Sequence, residues 1–355
     1  MAFHDIVAIG TSAGGVAALI EVVRSLPKDL RAAVFVVIHM SPSSPSILPE
    51  ILSKAGPLPA FHPADGDKVQ HGRVYVARPD RHLLVEKNRV LVKNGPKENR
   101  FRPAIDALFR SIAYTYGPRA IGVVLTGTLD DGTSGLWTIK RHGGVAVVQD
   151  PAGAHSPQMP MNVLSEMKVD HVVPLSEMGS LLTRLVEKPI GPRPKRSAKE
   201  QKRLVMEIEI ATKDNAFDRG IIGIGELTAF TCPECQGALV KLKEGDITRF
   251  RCHTGHAFTA SALLAGISEA SEDHLWRAMQ SIEGFTMLLN QIGNQFKDKD
   301  QPQEAEKFFK KAEQNRKRAR VIHESVIEQE SLSEDLRFEK PGDKRFRPRR
   351  KRNNR

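Results

Sequence analysis

Residues 5–15, Asp5-Ile6-Val7-Ala8-Ile9-Gly10-Thr11-Ser12-Ala13-Gly14-Gly15, decide how the first half of this chain folds. A short apolar run of buried-strand type passes straight into a glycine-rich turn, and residues 16–26 continue with helical spacing. Serine between two glycines at G-x-S-x-G spacing, after a strand and before a helix, is the pattern of a nucleophile elbow. The glycines suit a turn too tight for a Cβ on either side. The serine hydroxyl then projects at a helix N-terminus, where developing negative charge is favoured. A glycine-rich strand-to-helix turn also serves as a phosphate cradle or as plain packing, and the motif alone does not separate these readings.

Two further apolar runs narrow the choice. Residues 33–38 (AVFVVI) end on His39, and residues 120–125 (AIGVVL) end in Thr126-Gly127-Thr128-Leu129-Asp130-Asp131-Gly132. Continuous apolar strands are those of a sheet buried on both faces, so the expected fold is α/β, a doubly wound, mainly parallel sheet with helices on both faces. In such a sheet ligands bind beyond the carboxyl ends of the strands. Ser12, His39 and Asp131 all stand just past such an end, as nucleophile, base and orienting carboxylate for serine hydrolysis. Each has an ordinary alternative: His39 as a polar cap on a buried strand, Asp130 and Asp131 as turn formers before Gly132. A dinucleotide site is disfavoured, because G-x-G-x-x-G spacing is missing and His39 stands where an acid would bind ribose. The order Ser, His, Asp also differs from that of α/β-hydrolases.

With these residues in place, the chain resembles the catalytic domain of the chemotaxis protein-glutamate methylesterase CheB over roughly residues 6–182. The likeness rests on ordered blocks: residues 9–15, His39-Met40, Asp65-Gly66, Val74-Tyr75-Val76-Ala77, Pro79-Asp80-Arg81-His82, Asn99-Arg100-Phe101-Arg102-Pro103, residues 126–132, and Met159-Pro160. The resemblance implies a catalytic triad of Ser12, His39 and Asp131. It also implies a substrate, glutamate methyl esters on chemoreceptor-like signalling proteins, with glutamine deamidation as a second activity. Backbone N–H groups of Ala13 and Thr128 are the expected oxyanion donors, and Arg100 and Arg102 are candidates for guiding acidic receptor segments. Well-known family members carry threonine after the nucleophile and Thr-Gly-Met-Gly before the aspartate, where this chain has Ala13, Thr128 and Leu129. Glycine takes a positive φ freely and leucine does not, so either the turn is rebuilt or its angle is permissive. The alternative function is a catalytically impaired, hydrolase-derived binding module that recruits partners through the C-terminal half. No cofactor is expected for catalysis. Family members commonly carry a receiver domain ahead of the esterase, and a core strand starting at Ile6 leaves no room for one here. Control by phosphorylation within this chain is therefore not expected, and a separate regulatory protein is the alternative.

The second half is organised differently. Cys232-Pro233-Glu234-Cys235 precedes Cys252-His253-Thr254-Gly255-His256, so all 3 cysteines fall at C-x2-C and C-x3-H spacing, the two halves sixteen residues apart. This suits a structural zinc held by Cys232, Cys235, Cys252 and His256, with His253 competing for the fourth place. The hairpin between them is too small to fold without metal. From Leu275 onward, apolar residues recur at helical spacing through Phe296 and again from Ala305 to Val326, around an Asp298-Lys299-Asp300-Gln301-Pro302 turn. That predicts an antiparallel helical hairpin. The expected division is 1–186 catalytic domain, 187–225 basic flexible linker, 226–262 zinc-ribbon-like module, 263–332 helical hairpin and 333–355 basic disordered tail.

Charge follows that division. The chain of 355 residues carries a net +11, yet residues 188–203 and 344–355 together hold more than that excess. The basic character belongs to two segments rather than to a folded surface, so stable nucleic-acid or membrane binding is not expected. With no spanning apolar stretch and no basic n-region before Ile6, the expected location is the cytoplasm, where cysteines serve metal rather than disulfides.

Overall fold

In the computed structural model, residues 2–43, 45–213, 220–223 and 225–328 are described. The elements run β1 (Ile6–Thr11), α1 (Gly15–Arg24), β2 (Ala33–Ile38), α2 (Leu48–Ala55), β3 (Ala60–Phe61), β4 (Arg73–Val76), β5 (His82–Glu86), β6 (Arg89–Lys93) and α3 (Ile105–Tyr116). There follow β7 (Ala120–Val124), α4 (Thr133–Arg141), β8 (Val145–Gln149), α5 (Gln158–Glu166), β9 (His171–Val173), α6 (Leu175–Val186) and α7 (Ala198–Lys213). The last group is β10 (Glu226–Thr231), β11 (Ala238–Glu244), β12 (Ile247–Cys252), β13 (Ala257–Thr259), α8 (Ala260–Asp298) and α9 (Pro302–Glu328).

Seven strands form one sheet in the order β3-β4-β2-β1-β7-β8-β9, and the pairings are parallel throughout. The chain first builds outward from β1 on one side and then, from β7, on the other. That reversal leaves the crevice at the carboxyl ends of β1 and β7. Every residue of β1 and β2 is buried, and alternate side chains serve opposite layers. Val7, Ile9, Val34 and Val36 pack under α1, α2 and α6, with Leu19, Val22, Leu52 and Leu181. Ile6, Ala8, Phe35 and Val37 pack under α3, α4 and α5, with Leu108, Phe109, Ile139 and Val163. The continuous apolar runs thus have the physical cause inferred from them: both faces of each strand are covered. The antiparallel β5–β6 hairpin turns through Lys87 and Asn88, both at positive φ as a two-residue hairpin turn requires, and joins the α3 side of the core.

The expectation of a flexible linker over 187–225 is corrected. Residues 198–213 form α7, whose Leu204, Met206, Ile210 and Ala211 are buried. Ala211 packs with Leu84, Ala104 and Ala107 of the catalytic domain, while Met206 and Ile210 pack with Val240 and Leu242 of β11. The basic residues around this short apolar stripe hid it.

β10–β13 form an antiparallel four-stranded sheet, and it belongs to the same compact unit as the parallel sheet, which ends at Leu263. The second unit begins at Leu264. Within it α8 and α9 pair antiparallel, with Phe296 stacked on Phe308 at one end and Trp276 edge-on to His323 at the other. Ala305, Ala312, Ala319 and Val326 lie buried along α9 as the spacing predicts. Asn315 interrupts that stripe and is nonetheless buried, its Nδ2 without a partner among the described residues. The C-terminal part of the expected hairpin and the basic tail lie outside the described residues. Among the described residues no helix is long and apolar enough to cross a membrane.

Candidate active site and candidate metal centre

Ser12 follows directly on β1. The turn needs its glycines for two separate reasons: a Cβ on Gly10 would collide with Ile105 of α3, and Gly14 has φ +76. Ser12 N–H donates to Thr126 O at 2.9 Å, and Thr126 Oγ1 donates to Ala13 O at 2.9 Å, so the loop after β7 is laced to the nucleophile turn. Thr126 N–H is held in turn by Gln149 Oε1 of β8 at 2.9 Å.

β1 and β2 pair with Thr11 opposite Ile38, and His39 N–H donates to Thr11 O at 3.3 Å. The next residues along, Ser12 and His39, therefore leave adjacent strand ends, about 5 Å apart at the backbone. The His39 ring lies flat on Phe101, with centroids 3.6 Å apart and planes at 7°. Its Nε2 is 2.8 Å from Asp131 Oδ2. Its Nδ1 is buried and has no partner among the described residues.

Asp131 is 1% exposed and surrounded by donors. Besides His39, Oδ2 accepts from Ile105 N–H at 2.6 Å, while Oδ1 accepts from Asn99 Nδ2 at 2.8 Å, Gly132 N–H at 3.1 Å and Asp106 N–H at 3.2 Å. Two of these amides open α3, so the carboxylate sits on the positive end of a helix. Burial by itself would push the Asp131 carboxyl up; the bonds from His39, Ile105 and Asn99 bring it below its ordinary value. The neighbouring Asp106 goes the other way, pushed up to about 7 by burial and by the Asp131 charge. The two shifts run in opposite directions, so Asp131 is the more acidic of the pair and its carboxylate is the one that faces His39.

The oxyanion candidates are well placed in one respect. Neither Ala13 N–H nor Thr128 N–H donates to a protein acceptor among the described residues. Leu129 keeps a positive φ of 61°, so the turn has not been rebuilt to suit a side chain. Two residues of α5 hold it: Gln158 Oε1 accepts from Leu129 N–H at 2.9 Å and Asn162 Nδ2 donates to Leu129 O at 2.7 Å.

Arg102 is tied to the protein itself, with Nε and Nη2 on Asp80 Oδ1 at 2.8 and 2.6 Å and Nη1 on Gly95 O at 2.8 Å. It fastens the loop before α3. Arg100 is half-buried, with φ 75°. Reasoning on the sequence passed over Asn99, Phe101 and Asp106. The block containing Asn99 and Phe101 was visible, but nothing in it said that their side chains reach His39 and Asp131.

Cys232, Cys235, Cys252 and His256 bring their ligand atoms within 4.8 Å of one another. Cys235 Sγ lies 3.6 Å from Cys252 Sγ, and His256 Nδ1 lies 3.6 and 3.5 Å from the sulfurs of Cys232 and Cys252. Those separations exclude a disulfide, whose sulfurs are about 2.05 Å apart. They match the edges of a tetrahedron with metal–sulfur bonds of about 2.3 Å. Between the two histidines the geometry chooses His256, since His253 packs against Gly237 instead.

The CheB methylesterase family model matches residues 7–182. A Leptospira interrogans relative with the provisional name protein-glutamate methylesterase/protein-glutamine glutaminase is 36% identical over 183 residues, covering 51% of this chain and 95% of the relative. The chain belongs to the CheB methylesterase family. A Methanosarcina mazei member, protein-glutamate methylesterase/protein-glutamine glutaminase 2, is 34% identical over 191 residues, which are 52% of each chain. The crystal structure of the Thermotoga maritima CheB methylesterase catalytic domain aligns with 33% identity and a TM-score of 0.49, covering 51% of this chain and 98% of that one. The family match stops short of α7, the metal cluster and the helical hairpin.

Proposed function

We propose that this CheB-family chain hydrolyses glutamate methyl esters on chemoreceptor-like signalling proteins, releasing methanol, and deamidates glutamine side chains at the same site. The observation that carries the reading is the setting of His39: Nε2 faces the buried Asp131 carboxylate, Nδ1 is buried with no partner among the described residues, and the His39 backbone leaves the strand end next to the one that bears Ser12. With its proton on Nε2, the imidazole presents a lone pair at Nδ1. It takes the Ser12 proton as Oγ attacks the ester carbonyl, and the tetrahedral oxyanion is received by the N–H groups of Ala13 and Thr128. Protonated His39 is stabilised by Asp131 and returns the proton to the departing methoxide, leaving an acyl-serine. Water, deprotonated by the same nitrogen, attacks that ester, and collapse frees the glutamate carboxylate and Ser12. With a glutamine side chain the leaving group is ammonia and the steps are otherwise the same.

We assign the Cys3His cluster to a structural zinc: four N/S ligands close the coordination shell and leave no open position for substrate. It holds the small β sheet together and takes no part in the steps above. The partners are then methylated receptor helices, met in the cytoplasm.

The test is methanol release from a methylated receptor fragment by the full chain. Ser12→Ala is expected to lower the rate by more than about 1,000-fold with the fold intact. An unchanged rate would remove Ser12 from the chemistry.

A further inference from the structure

We propose that Asn99 is a positioning residue for Asp131 and that the metal module holds Asn99 in place through β13, so that metal bound by the Cys3His cluster braces the triad carboxylate. The proposal rests on the assignment of Ser12, His39 and Asp131 above.

Asn99 is 2% exposed, and both polar atoms of its side chain and its backbone N–H are engaged. Nδ2 donates to both buried carboxylates, Asp131 Oδ1 at 2.8 Å and Asp106 Oδ2 at 2.9 Å. Oδ1 accepts from Thr259 N–H at 3.0 Å, and Asn99 N–H donates to Ala257 O at 2.7 Å. The amide cannot be flipped, because its oxygen would then face two carboxylates. The φ of 50° suits asparagine better than most residues. Among the described residues its amide is the one side-chain donor shared by Asp106 and Asp131, and without it only the Gly132 N–H, at 3.1 Å from each, bridges the two carboxylates.

Both partners that fix Asn99 from outside the catalytic domain are in β13. Ala257 also donates its N–H to Lys97 O at 3.2 Å, and Thr259 Oγ1 donates to Asp130 Oδ1, next to the triad carboxylate, at 2.6 Å. β13 begins one residue after His256, and Cys252 N–H donates to His256 O at 3.0 Å. Two of the four metal ligands therefore shape the turn that delivers β13 to Asn99. From the residue before Cys252, Arg251 Nη2 reaches Glu98 Oε1 at 2.9 Å. The segment around Asn99 is thus gripped by residues on either side of the ligand cluster, and the path from ligand to catalytic carboxylate runs through one peptide bond, His256 to Ala257, and then two hydrogen bonds through Asn99.

The test uses the full chain and two readouts. The first is the low-field proton resonance of His39 Nε2–H, which reports the bond to Asp131 without any turnover. The second is the kcat and KM for methanol release. In metal-loaded protein the resonance is expected to be present. Asn99→Gly, which accepts the same backbone angle, is expected to shift or broaden it and to lower kcat about 10- to 100-fold with KM unchanged. Asn99→Asp keeps the acceptor for Thr259 and adds a negative charge, which moves the pH midpoint of kcat upward. Removal of the metal from the wild type with a strong chelator is expected to reproduce the Asn99→Gly result, and zinc to reverse it. In Asn99→Gly itself, metal removal is expected to add little, because both act through one contact. A resonance unmoved in Asn99→Gly, a wild type indifferent to the chelator, or full additivity of the two losses would each overturn the proposal. A wild type whose resonance depends on metal and on Asn99, yet which releases no methanol, supports the brace and contradicts the hydrolase assignment.

Discussion

Among single residues, Leu129 is the sharpest departure from expectation. A leucine at φ 61° carries a backbone cost of about 1 kcal/mol that glycine would not, and the turn tolerates it because Gln158 and Asn162 hold both of its backbone polar groups. Leu129→Gly is therefore expected to leave stability unchanged or raise it by up to about 1 kcal/mol, and Leu129→Val to lower it by more than about 1 kcal/mol, read from urea midpoints. Loss of stability on going to glycine would mean that the leucine side chain contributes something the backbone geometry does not reveal. At this scale the sequence was readable where residue type and position coincide: serine between glycines, histidine and aspartate at the ends of apolar runs. It was not readable where the role comes from long-range contact. Asn99 lies 32 positions from Asp131 and 160 from Thr259, and no spacing rule connects them. Arg102 shows the same limit, because in the sequence an arginine in a loop has the same appearance whether it faces solvent or, as here, Asp80.

Among elements, the parallel strands declared themselves through uninterrupted apolar runs, and the α8–α9 pair through its repeat. α7 did not, since four buried apolar positions in a stretch dense with charges of both signs do not make a period that stands out. The helix exists because both its neighbours offer apolar surface, Leu84 and Ala104 on one side and Val240 and Leu242 on the other. The convergence of Cys232, Cys235, Cys252 and His256 was legible from their spacing, whereas the four-stranded sheet that carries them was not, only a hairpin between the ligands being expected. Full-length protein is expected to contain one zinc per chain, and Cys252→Ser to lose it. Chelation is expected to make the 3 thiols reactive toward an aromatic disulfide reagent and to open β10–β13 to protease first. Protein purified without chelator that holds no metal and resists cleavage to the same degree would rule out the metal assignment.

Across the molecule, the antiparallel sheet and α7 meet the catalytic domain in a buried ionic cluster rather than an apolar seam. Glu98 and Arg110 come from the catalytic domain, Glu207 from α7, Glu244 from β11, and Arg249 and Arg251 from β12, each no more than 3% exposed. Arg249 Nη1 bonds Glu207 and Glu244 at 2.6 and 2.9 Å, Arg251 Nη2 bonds Glu98 and Glu207 at 2.9 and 3.1 Å, and Arg110 pairs with Glu98. Burial alone would raise the Glu98 carboxyl; Arg110, Arg251 and Arg249 bring it down to about 2. A carboxyl depressed in the fold stabilises above its ordinary value, so this contribution is complete above about pH 4.5 and is lost as pH falls toward 2. Asp106 and Asp130, raised to about 7 and about 6 by burial, act in the opposite sense, and their contributions decline as pH rises from about 4. Glu98→Gln is expected to cost about 3–5 kcal/mol at pH 7 by leaving arginines buried without their partner, and to flatten the acid limb of a stability-against-pH curve. An unchanged acid limb would place the pH sensitivity elsewhere. All of these supports converge on one small arrangement at the rim of the parallel sheet. Its most direct measurement is covalent labelling of the full chain by a fluorophosphonate, with the adduct located by mass spectrometry. One adduct on Ser12, lost in Ser12→Ala and slowed at least about 100-fold in His39→Ala and Asp131→Ala, is the expected result. Labelling of Ser12 that proceeds at the same rate without His39 and Asp131, or no labelling at all, would contradict it.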